Sequence, residues 1–129
     1  MIEEVPVPVL EDTQMLVHMV ACGVNYNNIW AATGRPIDVI AMRQKRGEPE
    51  DFNIGGSECS VVVCAVGSRV KGLRVGDPVA ISSCRWGESA QDIRDGADPI
   101  TSSTTTVWGY EDNWGGFAQF SAVEEFMCF

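Results

Sequence analysis

The chain has 129 residues, 45% of them apolar and 21% charged, which suits one globular domain with a true core and leaves no room for a second. Eighteen acidic residues against nine basic give a formal charge of −9. Residues 86–129 hold eight of the acids and one base, a balance that disfavours nucleic acid and anionic membranes as partners. In chain order, Val5-Pro-Val-Pro-Val9 reads as an extended edge segment, because each proline removes a ladder donor. Residues 14–24 predict a strand ending at Gly23. Residues 25–34 predict a loop and a short helix stopped by Gly34, with Asn28 capping a helix that starts near Ile29. Residues 36–46 predict a further helical turn with Ile37, Ile40 and Ala41 on one face.

Residues 54–67 read as a glycine turn leading into a buried β-branched strand, with Val61 to Val66 at its heart. A basic turn over 68–76 precedes a short strand at 77–83. Residues 87–106 are polar and read as a long loop. Residues 107–117 are rich in aromatics and glycine, and 117–123 alternate as the last strand. Many short strands at near-regular spacing point to a small, mostly-β barrel with one or two short helices, a single domain over 1–129.

The five cysteines (Cys22, Cys59, Cys64, Cys84, Cys128) are odd in number and irregular in spacing, with no CxxC pair. They read as small buried apolar residues in a reducing cytoplasm rather than as a disulfide framework or a zinc site. The acidic N-terminus lacks a signal-type apolar run, and no segment approaches the ~20 apolar residues of a membrane span. The expected setting is therefore cytoplasmic. Arg43-Gln-Lys-Arg46 reads as a solvated helix face, and His18 as a packed or surface strand residue.

Four segments in this order resemble one family: Gly23-Val-Asn-Tyr-Asn-Asn-Ile-Trp30, Gly55-Gly-Ser-Glu58, Val75-Gly-Asp-Pro-Val79, and Trp108-Gly-Tyr-Glu-Asp-Asn-Trp-Gly-Gly-Phe-Ala-Gln-Phe120. The set is similar to the GroES-like catalytic domain of medium-chain dehydrogenases/reductases, and within it to the crotonyl-CoA carboxylase/reductase group. Zinc-dependent members of that superfamily carry a cysteine where Asn25 stands and a Gly-His-Glu where this chain has Gly56-Ser57-Glu58. The resemblance thus implies the zinc-independent branch and no metal site. No Gly-x-Gly-x-x-Gly follows a strand, so no nicotinamide cofactor is expected on these residues.

What the resemblance implies for the site is specific. Asn25 would face a substrate thioester, its amide polarising the carbonyl, although an Asn here also suits a turn. Tyr110 and Glu111 match an aromatic–glutamate pair of the carboxylating members, with Glu111 handling protons and its pKa raised if it is buried among Trp108, Tyr110 and Trp114. Tyr26, Asn27, Trp30, Trp108 and Trp114 are the candidate substrate contacts, the tryptophans equally suited to core packing. Glu58 is expected to hold its turn. The leading expectation is a substrate-binding domain for an acyl thioester or polyketide-like ligand, working without nicotinamide by cyclisation, isomerisation or binding. The alternatives are half of a split NADPH-dependent enoyl-thioester reductase, paired with a separate Rossmann-domain partner, and a non-catalytic homodimeric module.

Overall fold

The computed structural model describes residues 2–129. Its frame is set by period-two burial on four strands. In β1 (Gln14–Cys22) Met15 and Val17 point inward and are fully buried, while His18 points out. Cys59, Val61 and Val63 of β2 (Cys59–Val66) face the same core, as do Val79 and Ile81 of β3 (Pro78–Ile81). Ser121 and Val123 are the inward residues of β6 (Phe120–Glu124). Each large aliphatic side chain buried this way contributes about 1.5–3 kcal/mol. All pairings are antiparallel, in the order β3–β2–β1–β6. The register sets Val17 opposite Val63 on one side and Ser121 on the other.

The sheet closes on itself through the residues after β6. A single 3-10 turn (Glu125–Met127) carries the chain across to the free edge of β3. There the Ala80 N–H donates to Phe129 O (2.9 Å), the Phe129 N–H returns to Ala80 O (3.0 Å), and the Ser82 N–H donates to Met127 O (2.7 Å). Closure removes the open edge that a four-stranded sheet would expose. Met127 and Trp108 plug the interior.

Several local expectations change. The helix α1 (Tyr26–Thr33) starts three residues earlier than the sequence suggests, because Asn25, not Asn28, is its N-cap. Gly34 terminates it as expected. In α2 (Val39–Lys45) the buried face is Val39 and Arg43, one turn apart; Ile37 precedes the helix and is exposed. Arg43 is therefore not on a solvated face. It is fully buried, donates from Nη2 to Phe52 O (2.7 Å), and lies 3.7 Å from the Glu48 carboxylate. Gln44, Lys45 and Arg46 do face solvent. Residues 5–9 join no strand. The last strand begins at Phe120, since 116–119 are bends drawn in by another contact.

That contact is a crossing of two glycine segments. The Gly115 N–H donates to Ile54 O (2.9 Å), Gly116 N–H to Gly56 O (2.8 Å), and Phe117 N–H to Gly55 O (2.8 Å). Gly56 has φ 97, and a Cβ there would stand 2.7 Å from Phe117 N and 2.8 Å from Cys22 Sγ. A Cβ on Gly116 would overlap Cys59 Sγ and sit 3.1 Å from Cys22 Sγ. No side chain fits between the segments, so both positions demand glycine.

Residues 87–106 are less loop-like than their composition suggests. They hold the one-turn helix α3 (Gln91–Arg94) and a 3-10 turn (Pro99–Thr101), and they are flanked by a two-stranded ribbon of β4 (Cys84–Arg85) and β5 (Thr106–Val107). With α1 and α2 this gives three α-helices among the described residues, one of a single turn, on a mostly-β body. Among the described residues no helix is long and apolar enough to cross a membrane. The Asp92 carboxylate organises the segment, accepting from the Ser103 N–H (3.1 Å) and the Ile93 N–H (2.8 Å).

Gly116→Ala overpacks the crossing and should cost about 1–3 kcal/mol, against about 0.5 kcal/mol or less for Gly87→Ala, where an added Cβ meets only ordinary contacts. Thermal denaturation of the two variants checks it, and equal midpoints would refute the packing argument. The side-chain hydrogen bond from Ser102, then the backbone bond from Ser103, holds the Asp92 carboxyl below its ordinary value. A lowered folded pKa stabilises the loop above the unfolded value and loses that support as pH falls through the folded one. The Ser103 and Ile93 amide signals in an NMR titration should therefore move together only below about pH 4. Asp92→Asn should loosen the same segment at neutral pH.

Candidate functional site

Four elements meet where β1 ends. Asn25 is extended (φ −131, ψ 179), and its Oδ1 accepts from the Asn27 N–H (3.0 Å) to cap α1. The Asn28 Oδ1 in turn accepts from the Asn25 N–H (2.9 Å), the reciprocal half of a capping box. The Asn25 Nδ2 donates to Ser57 Oγ (3.1 Å), tying the helix start to the Gly55–Glu58 turn. Ser57 is fully buried. An amide nitrogen carries two N–H bonds, so Asn25 keeps one donor beyond its link to Ser57. Asn28 is 9% exposed and its Nδ2 has no protein partner, although a Cβ on Gly55 would lie only 3.6 Å away. Leaving such a buried amide without a partner is costly. Asn28 is thus the third residue of the capping box rather than the cap itself.

An aromatic row runs from α1 to the turn after β5. Tyr26 and Trp30 have ring centroids 6.2 Å apart, and Trp30 and Tyr110 6.3 Å. Tyr110 is buried, whereas Trp30 is 41% and Tyr26 72% exposed. The structure thus brings together Asn25, Asn27, Tyr26, Trp30 and Tyr110. Glu111 follows Tyr110 and is half-buried, its carboxylate turned back to accept from the Val107 N–H (2.9 Å). It is not enclosed by three aromatic rings. Trp108 lies in the barrel core, 2% exposed, and Trp114 packs edge-on against Phe52 at 5.5 Å. Neither tryptophan belongs to the row.

Asn113 carries no local signal that marks it out. This buried amide accepts from the Ile54 N–H (2.7 Å) and the Trp114 N–H (2.8 Å) and donates to Phe52 O (3.2 Å), pinning the glycine crossing at its edge. It holds Trp114 at φ 64, a costly conformation for a bulky residue. Glu58 is exposed, and its carbonyl, rather than its carboxylate, serves the turn by accepting from the Gly23 N–H (2.7 Å). Among the described residues no three His, Cys, Asp or Glu side chains converge as a metal site. At the junction itself the groups are an amide and a hydroxyl bonded to each other, a donor set that does not suit zinc. An open depression of about 760 Å³ lies elsewhere, beside the start of β1, lined by Arg69, Arg85, Trp86, Asp112, Glu124 and Phe126 among others.

Known proteins match this architecture. Residues 11–129 fit the alcohol dehydrogenase GroES-like domain family. The crotonyl-CoA carboxylase/reductase of Cereibacter sphaeroides is 40% identical over 123 residues, which cover 95% of this chain and 27% of that protein. The crotonyl-CoA carboxylase/reductase AntE, solved in complex with NADP, superposes with a TM-score of 0.92 at 60% identity over 97% of this chain and 31% of that one. The 2-octenoyl-CoA carboxylase reductase CinF, solved with NADP and 2-octenoyl-CoA, gives a TM-score of 0.85 at 27% identity, covering 98% and 30%. The chain spans under a third of the length of these relatives. With its barrel, its Asn25–Ser57 junction and this match over nearly all its residues, the chain belongs to the alcohol dehydrogenase GroES-like domain family and is related to the crotonyl-CoA carboxylase/reductases.

Proposed function

We propose that this domain is the substrate half of an NADP-dependent enoyl-thioester reductase of the carboxylating type. The observation that carries the reading is the Asn25 amide at the start of α1, its Nδ2 bonded once to Ser57 with one N–H to spare, set beside the Tyr26–Trp30–Tyr110 row. An amide donor at a thioester oxygen stabilises the negative charge that develops there when the double bond is reduced. The aromatic row supplies an apolar wall for the acyl chain. Glu111, bonded to its own turn through one oxygen, keeps the other for a water or proton at the reacting carbon.

NADP supplies the hydride when bound, and its binding falls to a surface outside these residues. Val24, Tyr26, Ile29, Trp30 and Phe117 are between 41% and 77% exposed around the site, an apolar face that suits a covering domain. The relatives solved with NADP favour this reading over nicotinamide-free chemistry. Whether the covering surface is a longer chain, a separate Rossmann protein or a second copy is an outcome of the test.

The test begins with saturation-transfer NMR of crotonyl-CoA and 2-octenoyl-CoA on the purified chain. Binding of either is expected, with the strongest transfer to the acyl protons. Asn25→Asp keeps the helix cap and a bond to Ser57 but loses the donor, so affinity should fall about fivefold or more with the fold intact by circular dichroism. Glu111→Gln should bind within about twofold. Mixing the chain with a nicotinamide-binding partner domain should then restore NADPH oxidation that depends on the enoyl thioester. A folded sample that binds no thioester would sink the proposal.

A further inference from the structure

Two of the five cysteines, far apart in sequence, are neighbours across the barrel. Cys22 ends β1 and Cys59 begins β2, and the two are register partners. The Gly23 N–H donates to Glu58 O, which makes the next pair, Cys22 and Cys59, the non-hydrogen-bonded kind. Such pairs have Cα atoms about 4.5 Å apart and side chains turned toward each other. That spacing lies within the range a disulfide bridges. The Cys59 thiol donates to Cys22 Sγ at 3.0 Å, so about 1 Å of approach separates the free thiols from a bond. The packing above them is also exceptional. The Cβ positions of Gly56 and Gly116 are both closed by these sulfurs, so the backbone of the glycine crossing rests directly on the pair. Cys64, Cys84 and Cys128 have no thiol neighbour among the described hydrogen bonds.

We propose that Cys22 and Cys59 are a thiol–disulfide site that a hydroperoxide closes, fastening the end of β1 to the turn that holds Ser57. The roles of the sulfurs differ. Cys22 is partly exposed and accepts the hydrogen bond; Cys59 is 6% exposed and donates it. Burial, then the bond to Cys22, pushes the Cys59 thiol well above the ordinary range, which suits the resolving rather than the attacking role. Cys22 gives up its proton and its sulfur attacks the O–O bond, forming a sulfenic acid; the leaving alkoxide, or hydroxide from hydrogen peroxide, takes up that proton and departs as the alcohol or water. The Cys59 sulfur then attacks the sulfenic sulfur. The S–O bond breaks, hydroxide leaves, takes the Cys59 proton and departs as water. Two thiols are oxidised by two electrons and one peroxide is reduced. The product links residues 37 apart in sequence. It is restored to thiols by a small dithiol through exchange. The bond lies one residue from Gly23 and two from Ser57, the groups that seat Asn25, so it bears on the candidate site without belonging to it.

The experiment treats the intact chain with one equivalent of hydrogen peroxide, blocks remaining thiols with iodoacetamide, and maps the digest by mass spectrometry without reductant. A Cys22–Cys59 linked peptide lighter by two hydrogens, abolished by dithiothreitol and absent in Cys22→Ser, is expected as the main product. The other three cysteines should be recovered alkylated. Hydrogen exchange should slow at least threefold at the Gly23 to Asn25 and Gly56 to Ser57 amides in the oxidised chain. Recovery of Cys22 and Cys59 both alkylated, or of Cys22 as an unlinked sulfenic acid, would overturn the site. A link that leaves those amides unchanged would overturn the fastening. Because the wild-type chain carries both readouts, neither depends on a variant that folds poorly.

Discussion

Backbone meets backbone where Gly55 and Gly56 cross Gly115 and Gly116, and most of the molecule is arranged to permit it. The three N–H···O bonds of the crossing pull residues 113–117 across the end of the barrel. They are worth having only because no side chain keeps the strands apart; a single methyl at Gly116 would collide with Cys59 Sγ. Strain is accepted at one end, where Trp114 sits at φ 64, and the buried Asn113 amide offsets it with bonds to three backbone groups. Small sulfurs beneath, glycines between and an amide at the edge form one packing solution. Altering any of the three disturbs the others.

The site inherits its geometry from that solution. Ser57 is fixed because Gly56 is, and Asn25 is oriented because Ser57 accepts from it. The same Asn25 side chain caps α1, so two elements draw on different atoms of one residue: Oδ1 holds the helix, and Nδ2 holds the turn with a donor left over. Tyr110 reaches Trp30 because the segment bearing it, Trp108 to Gly116, is anchored at both ends, by Trp108 in the core and by Gly116 in the crossing. A candidate site assembled from three chain segments is anchored without being enclosed, and exposed aromatics surround it.

The barrel strands were legible because alternation and β-branching are local signals: Val61 and Val63 in β2, Met15 and Val17 in β1. Of the candidate site, Asn25 and Tyr110 are legible only through a family pattern. What failed depended on contacts that sequence spacing does not encode. Asn28 looked like a cap because it precedes an apolar run, yet the box closes from Asn25. Arg43 looked solvated because its neighbours are charged, whereas its stem packs beside Val39 and its head reaches the Phe52 carbonyl. Cys22 and Cys59 were invisible as a pair, because only the β1–β2 register sets them opposite each other. Asn113 had no local signal at all.

The acidic balance also takes on a different meaning. Read as a sum, −9 suggests a surface that repels anions. In the fold many of these carboxylates are spent on loop backbone: Glu125 accepts from Lys71 and Gly72, Asp77 from Arg74, Asp38 from Ala41, Asp98 from Ile100. Glu124 is held by Thr13, Gln14 and Arg85. Glu111, the acid nearest the aromatic row in sequence, is bonded to its own turn. The first turn of α1 carries no acid, yet the Glu58 carboxylate stands close to its start, with Oε2 3.1 Å from where a Cβ on Gly23 would lie. The charge felt at the Asn25 junction is therefore set by this near neighbour and the helix start rather than by the sum, since charges farther off than about 8–10 Å are screened in physiological salt.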